Sequence, residues 1–196
     1  MFPPLIALYS PGASHGKTET AKILVAEYGY LPVKMAGPLK AMLRTFLLEA
    51  SVAPEMVDRY IEGDLKEAVV PEVGVTSRHL MQSLGTEWGR DCIKPDLWAS
   101  MAITRIRSLL KAGKRVVVDD MRFREEYHAL SLLSARMIKV TRISKLIESQ
   151  TTKAGHRSEG GLADLDFQHH IKNDGTINEL VGTVTTLMDR YLGINP

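Results

Sequence analysis

The 196-residue sequence predicts an α/β fold built from parallel βαβ units. Three observations predict it. Apolar, strand-like runs alternate with amphipathic stretches at helical period. The first run, Leu5–Tyr9, passes through a glycine-bearing turn directly into a helix. A later run, Val116-Val117-Val118, ends in Asp119-Asp120, carboxylates placed where open α/β sheets bind ligands.

In order along the chain, residues 5–9 form a strand and a helix covers about residues 16–28. A short extended piece follows at 31–35. Helical patterns at 39–50, 54–60, 77–90 and 95–112 make a long, mostly helical insertion. Residues 114–120 form a β-branched strand, 125–134 a helix and 137–141 another strand. The polar stretch 149–164, with Gly155, Gly160 and Gly161 and few large apolar residues, reads as a loop or mobile flap. A short strand near 167–171, a turn at Asn173-Asp174-Gly175 and a helix over 176–192 close the chain. There is no internal repeat and no low-complexity tract.

Bulk properties narrow the function. A chain of this length buries one sizeable core, so a single domain is expected. The 25 Lys and Arg against 23 Asp and Glu leave a net charge of +2, too small an excess to argue for nucleic acid binding, while local arginines remain available for phosphorylated small molecules. No run approaches the roughly 20 apolar residues of a membrane span, so no membrane partner is expected. No basic leader precedes the first apolar run, which therefore reads as a strand and not a secretion signal. Cys92 is the only cysteine and cannot form an intrachain disulfide, which fits a reducing cytoplasm.

The turn after the first strand reads Ser10-Pro11-Gly12-Ala13-Ser14-His15-Gly16-Lys17-Thr18. It matches the phosphate-loop pattern G-x-x-x-x-G-K-[ST] except that Pro11 stands where the first glycine belongs. Strand, turn, Gly-Lys-Thr and helix is the context this loop requires; the plain alternative is a strand-to-helix turn with an exposed lysine. In the phosphate-loop reading the N–H groups from Gly12 to Thr18 form an anion nest backed by the helix N-terminus. Lys17 reaches the β- and γ-phosphates and the Thr18 hydroxyl ligates magnesium. Pro11 has no N–H and cannot take positive φ, so Gly12 is expected to supply the lost flexibility. His15 is expected to contribute its backbone N–H more than its ring. Asp119 and Asp120 resemble a Walker B strand end and would hold magnesium directly or through water. No glutamate follows them, which favours transfer to a phosphate acceptor over ATP hydrolysis.

At Ser77-Arg78-His79-Leu80-Met81-Gln82-Ser83-Leu84-Gly85-Thr86-Glu87-Trp88-Gly89-Arg90-Asp91, followed by Ile93-Lys94-Pro95-Asp96-Leu97-Trp98, the sequence resembles bacteriophage deoxynucleoside monophosphate kinases. Ala36-Gly37-Pro38-Leu39-Lys40, the D-x-R-F motif at Asp120-Met121-Arg122-Phe123, His156-Arg157-Ser158-Glu159 and the turn Asn173-Asp174-Gly175-Thr176 agree with it. The resemblance implies a three-layer P-loop NTPase fold with a central, mostly parallel sheet, a helical acceptor-binding insertion at about 37–112 and a short lid at about 145–165. It implies a cytoplasmic enzyme that moves the γ-phosphate of ATP, with Mg2+, onto a dNMP to give dNDP and ADP. A homodimer is compatible with this reading.

The implied ATP-binding set is Gly12, Ala13, Ser14, His15, Gly16, Lys17, Thr18 and Glu19, with Asn173 and Gly175 from the last turn. Lys17, Arg122, Arg142 and Arg157 form the catalytic set, and Thr18, Asp119 and Asp120 the metal set. The acceptor set is Lys40, Arg78, Gln82, Arg90, Trp98, Asp120 and Arg122. Arg78 and Gln82 are four apart, hence on one helix face. Trp98 either stacks on a base or belongs to the core; Lys40 either touches the acceptor phosphate or is a surface lysine. Arg157, with Lys153, His156 and Glu159, would close the flap over the phosphates. Neither His169-His170 nor Cys92 has partners at a spacing that suggests chemistry. Two rivals remain: another small-molecule P-loop kinase, such as dephospho-coenzyme A kinase, and a nucleotide-dependent switch or nucleic-acid-associated ATPase.

Overall fold

The computed structural model describes residues 1–151, 161–162 and 164–193. Contacts divide the chain into two compact units, residues 1–34 with 103–196, and residues 35–102.

The first unit is built on a five-stranded sheet. Its strands are β1 (Leu5–Tyr9), β2 (Leu31–Pro32), β5 (Val116–Val118), β6 (Arg136–Thr141) and β7 (His169–Lys172), in the order β2-β5-β1-β6-β7. All pairings are parallel, with Ile6 opposite Val117 and Leu8 opposite Ile138. The mostly parallel sheet expected from the sequence is therefore parallel throughout. Its helices are α1 (Lys17–Tyr28), α6 (Arg124–Ser131), α7 (Ile143–Thr151), α8 (Ile177–Leu192) and the latter part of α5 (Leu97–Lys111).

Alternation along the strands feeds two layers. Ile6, Leu8, Val117, Ile138 and Val140 point into a cluster with Leu24 of α1 and Leu180, Val184 and Met188 of α8. Leu5, Ala7, Tyr9, Val116, Val118 and Met137 belong to the opposite face and are equally buried, as are Ile106 of α5 and Tyr127 and Leu130 of α6. Tyr9 stacks on Phe167, which meets Tyr127 edge-on. A strand buried on both faces reads as a continuous apolar run, which is why Leu5–Tyr9 shows no polar alternation.

The helix ends follow local chemistry. Gly29 at φ 65° ends α1, and its N–H bonds Val25 O while that of Tyr30 bonds Leu24 O. Thr176 and Glu179 form a reciprocal capping box at the start of α8, and Gly193 at φ 70° ends it. Helix α7 was not expected. It occupies the first three residues of the stretch expected to be a loop, 149–151. The far end is also anchored: Leu162 is buried, and Arg124 forms two hydrogen bonds to Asp164 at 2.6 Å. The other expected flap residues, Lys153, Gly155, His156, Arg157, Glu159 and Gly160, lie outside the described residues.

The second unit contains α2 (Gly37–Glu49), α3 (Pro54–Ile61), the antiparallel pair β3 (Val69–Val70) and β4 (Val75–Thr76), α4 (Ser77–Gln82) and the start of α5. Leu43 and Leu47 of α2, four residues apart, pack with Val57, Tyr60, Ile61 and Val70. Pro38 and Pro54 sit in the first turns of α2 and α3, where the missing N–H costs nothing. The helix expected over 77–90 changes character: α4 gives way to a π-helical stretch, Ser83–Ile93. The hairpin β3–β4 is too short to leave a periodic signal.

Candidate functional site

In a parallel sheet all strands point their C-terminal ends to one edge, and the candidate residues of the first unit follow those ends. Ser10 succeeds β1, Asp119 succeeds β5, Arg142 succeeds β6 and Asn173 succeeds β7, while Lys34 lies two residues past β2. A cavity of about 120 Å3 opens there, lined by Tyr9, Ser10, Pro11, Gly12, Ala13, Lys17, Met121 and Arg122.

The loop accommodates Pro11 in an unexpected way. Among the loop residues positive φ falls on Ser14 (62°) and Gly16 (101°), not on Gly12. Gly12 O instead accepts the Ser10 hydroxyl at 2.5 Å. Gly16 is required twice over, by its φ and because a Cβ there would lie 2.1 Å from Asn173 Nδ2. It caps α1, and both Thr20 N–H and the Thr20 hydroxyl bond its carbonyl. Lys17 and Thr18 begin that helix; Thr18 is exposed, and Glu19 is paired with Lys22 at 2.7 Å.

The expectation for His15 needs correction. It is only 3% exposed, and its ring has a defined partner: Nδ1 accepts the Arg142 N–H at 2.9 Å, so the ring proton sits on Nε2. Burial lowers its pKa, and Lys17, Lys145 and Arg142 lower it further. Asn173, expected at ATP, has its amide behind the loop, where Nδ2 donates to His15 O at 3.0 Å. Its own carbonyl accepts from Arg142 Nε at 2.7 Å, and Gly175 O accepts from Arg142 Nη2 at 3.3 Å. Arg142 thus ties the β7–α8 turn to the loop between β1 and α1.

Charge converges on Lys17. Its pKa is lowered by burial and by Arg122, opposed by Asp119 and Asp120 and lowered again by Lys34. Asp119 is buried and forms an ion pair with Lys34, a residue no sequence motif flags. Asp120 is half-buried beside it. Glu126, also unforeseen, is buried and accepts the N–H groups of Arg122 (2.7 Å) and Phe123 (3.1 Å), which fixes the backbone from which Arg122 projects. A glutamate three residues into a helix, reaching back to the residue before it, is a signal the sequence did carry.

The acceptor candidates of the second unit fare differently. Trp98 is core: it is 6% exposed, its Nε1 donates to Gly85 O at 2.8 Å, and a Cβ on Gly89 would lie 2.5 Å from its ring. Its indole is thus taken by packing and is not open to a base. The two glycines of Gly85-Thr86-Glu87-Trp88-Gly89 serve this contact, and it is Trp88 that is exposed, 6.1 Å from Trp98 between ring centroids. Lys40 pairs with Glu62 at 2.8 Å and Arg78 with Glu67. Gln82 is exposed at the end of α4, and Arg90 is half-buried in the π-helical stretch. Arg157 lies outside the described residues.

A family model described as deoxynucleotide monophosphate kinase matches residues 55–184. A mimivirus protein (Acanthamoeba polyphaga mimivirus) with the description "Putative deoxynucleotide monophosphate kinase" is 26% identical over 197 residues, covering 94% of this chain and 96% of that protein. Among solved structures, dephospho-CoA kinase from Campylobacter jejuni is 13% identical with a TM-score of 0.48, covering 96% of both chains. TT1252 from Thermus thermophilus is 17% identical with a TM-score of 0.47, covering 97% of this chain and 98% of its own. No helix among the described residues is long and apolar enough to cross a membrane.

Proposed function

The chain belongs to the deoxynucleotide monophosphate kinase family, and from that premise we propose that it transfers the γ-phosphoryl group of ATP to a deoxynucleoside monophosphate, giving ADP and a deoxynucleoside diphosphate. The observation that carries the proposal is the cavity that presents the phosphate loop, Lys17 and Arg122 together at the C-terminal edge of the sheet. An acceptor phosphate is already anionic, so no general base is needed. One of its oxygens bonds to the γ-phosphorus as the bond from that phosphorus to the β,γ-bridging oxygen breaks, and ADP leaves with the electron pair.

In this reading the protein supplies position and positive charge. The loop N–H groups from Gly12 to Thr18 bind the donor phosphates, with Lys17 on the β- and γ-phosphates and Arg122 between donor and acceptor phosphates. Arg142 and Asn173 hold the loop in place. The residues suit magnesium by their chemistry: the Thr18 hydroxyl and the Asp119 and Asp120 carboxylates are hard oxygen donors, and the ion would compete with Lys34 for the buried Asp119 carboxylate. Magnesium, when bound, would neutralise charge on the β- and γ-phosphate oxygens. For the acceptor nucleotide we propose Asp120 in addition to Arg122, and in the second unit Lys40, Arg78, Gln82 and Arg90. Arg157 is proposed as a further cation on the transferring group.

The test is a panel of ribo- and deoxynucleoside monophosphates with ATP and magnesium, scored by ADP formation, with dephospho-coenzyme A as the contrasting acceptor. ADP formed only with deoxynucleoside monophosphates supports the proposal. ADP formed with dephospho-coenzyme A alone, or only on addition of DNA, refutes it.

A further inference from the structure

The phosphate-loop reading asks nothing of the His15 ring, yet His15 is 3% exposed and its ring is hydrogen-bonded. The first N–H groups of a helix lack intrahelical partners and must find others. At the start of α7 two such donors go to side chains far away in sequence. His15 Nδ1 takes the Arg142 N–H at 2.9 Å, and Asp174 Oδ1 takes the Ile143 N–H at 2.6 Å. Asn173 Nδ2 then returns to His15 O at 3.0 Å, and Arg142 Nε to Asn173 O at 2.7 Å. Three segments, the loop, the start of α7 and the β7–α8 turn, close into one ring of hydrogen bonds.

We propose that the His15 imidazole is a positioning residue that couples the phosphate loop to the first turn of α7, so that nucleotide held by the loop and order at the start of α7 reinforce each other. The inference rests on the loop being the ATP site, as proposed above. Coupling is reciprocal: whatever α7 contributes to a loop ready for phosphate, bound phosphate returns to α7. The ring acts as an acceptor, and its shape alone does not suffice. In its part-buried position the Arg142 N–H, left without an acceptor, loses a hydrogen bond that ring volume does not replace.

The test compares wild type with His15→Asn, whose amide oxygen can stand where Nδ1 stands, and His15→Phe, which keeps ring volume without an acceptor. Two quantities are read: exchange of the Arg142 and Ile143 amides, with Val117 and Ile138 as core references, and affinity for the β,γ-methylene analogue of ATP. In wild type and His15→Asn the analogue should slow Arg142 exchange about ten-fold, within the usual range of coupling between sites. In His15→Phe Arg142 should exchange fast with or without the analogue, and affinity should fall by about the same factor. A phenylalanine variant that matches wild type in both readings overturns the proposal, and so does an asparagine variant as impaired as the phenylalanine one. If His15→Phe does not fold, wild type decides: Arg142 exchange insensitive to the analogue overturns it. If wild type binds no analogue, the kinase reading fails, while ligand-free exchange in the asparagine and phenylalanine variants still decides the hydrogen bond.

Discussion

Replacing Gly16 by alanine tests how the loop between β1 and α1 is held. Gly16 has φ 101° and ψ 10°, and an added Cβ would lie 2.1 Å from Asn173 Nδ2 and 3.0 Å from its Cγ. Asn173 cannot swing aside freely, because it is 6% exposed and its amide is bonded to His15 O. Two costs add. The left-handed backbone costs an L-residue about 1–2 kcal/mol. Displacing the Asn173 amide strands a buried acceptor at a further cost of about 1–3 kcal/mol, for a total of roughly 2–5 kcal/mol. Urea denaturation of wild type, Gly16→Ala, Asn173→Ala and the double variant separates the two. Once Asn173 is alanine the collision is gone, and Gly16→Ala should cost only the backbone share of about 1–2 kcal/mol. Equal costs in both backgrounds, or a cost below about 0.5 kcal/mol in wild type, the range of an ordinary surface change, would refute the reasoning.

Lys17→Met should leave the circular dichroism spectrum unchanged and lower turnover by on the order of 100-fold or more, the loss of one strong electrostatic stabiliser; near-normal turnover would mean that the loop is not catalytic. Lys34→Met leaves Asp119 as a buried charge without its cation and should destabilise the metal-free protein by about 1–3 kcal/mol, less than a fully buried pair because Lys34 is partly in solvent. Adding Asp119→Asn should recover most of that loss in thermal melts; no recovery would show that the pair is not what Lys34 serves. His15 has a depressed folded-state pKa, so its contribution to stability is fully present above the ordinary histidine value near 6.5 and is lost as pH falls below it toward the folded value. Lys17, Lys145 and Arg142 are the charges that depress it. The stability of wild type should therefore fall more steeply than that of His15→Asn between about pH 6.5 and 5, and parallel curves would contradict the assigned ring state.

The sequence by itself determined the α/β class, the order of the strands along the chain and the edge of the sheet where the candidate residues gather. These are local properties: apolar runs such as Leu5–Tyr9 have only one way to be buried in a parallel sheet, and Gly-Lys-Thr after a strand marks its own helix start. The capping pair Thr176 and Glu179 and the turn before it are legible for the same reason. Tertiary structure decided the rest, because the deciding partner lies far along the chain. The His15 ring finds Arg142 across 127 residues, and Lys34 finds Asp119 across 85. Trp98 could be a base platform or a core residue by composition alone; packing on Gly89 and the hydrogen bond to Gly85 made it core. Positive φ falls not on Gly12, where freedom was available, but on Ser14 and Gly16, and at Gly16 the close approach of Asn173 leaves no room for a side chain. A side chain's type sets what it can do, and only the groups that the fold brings against it select which of those things it does.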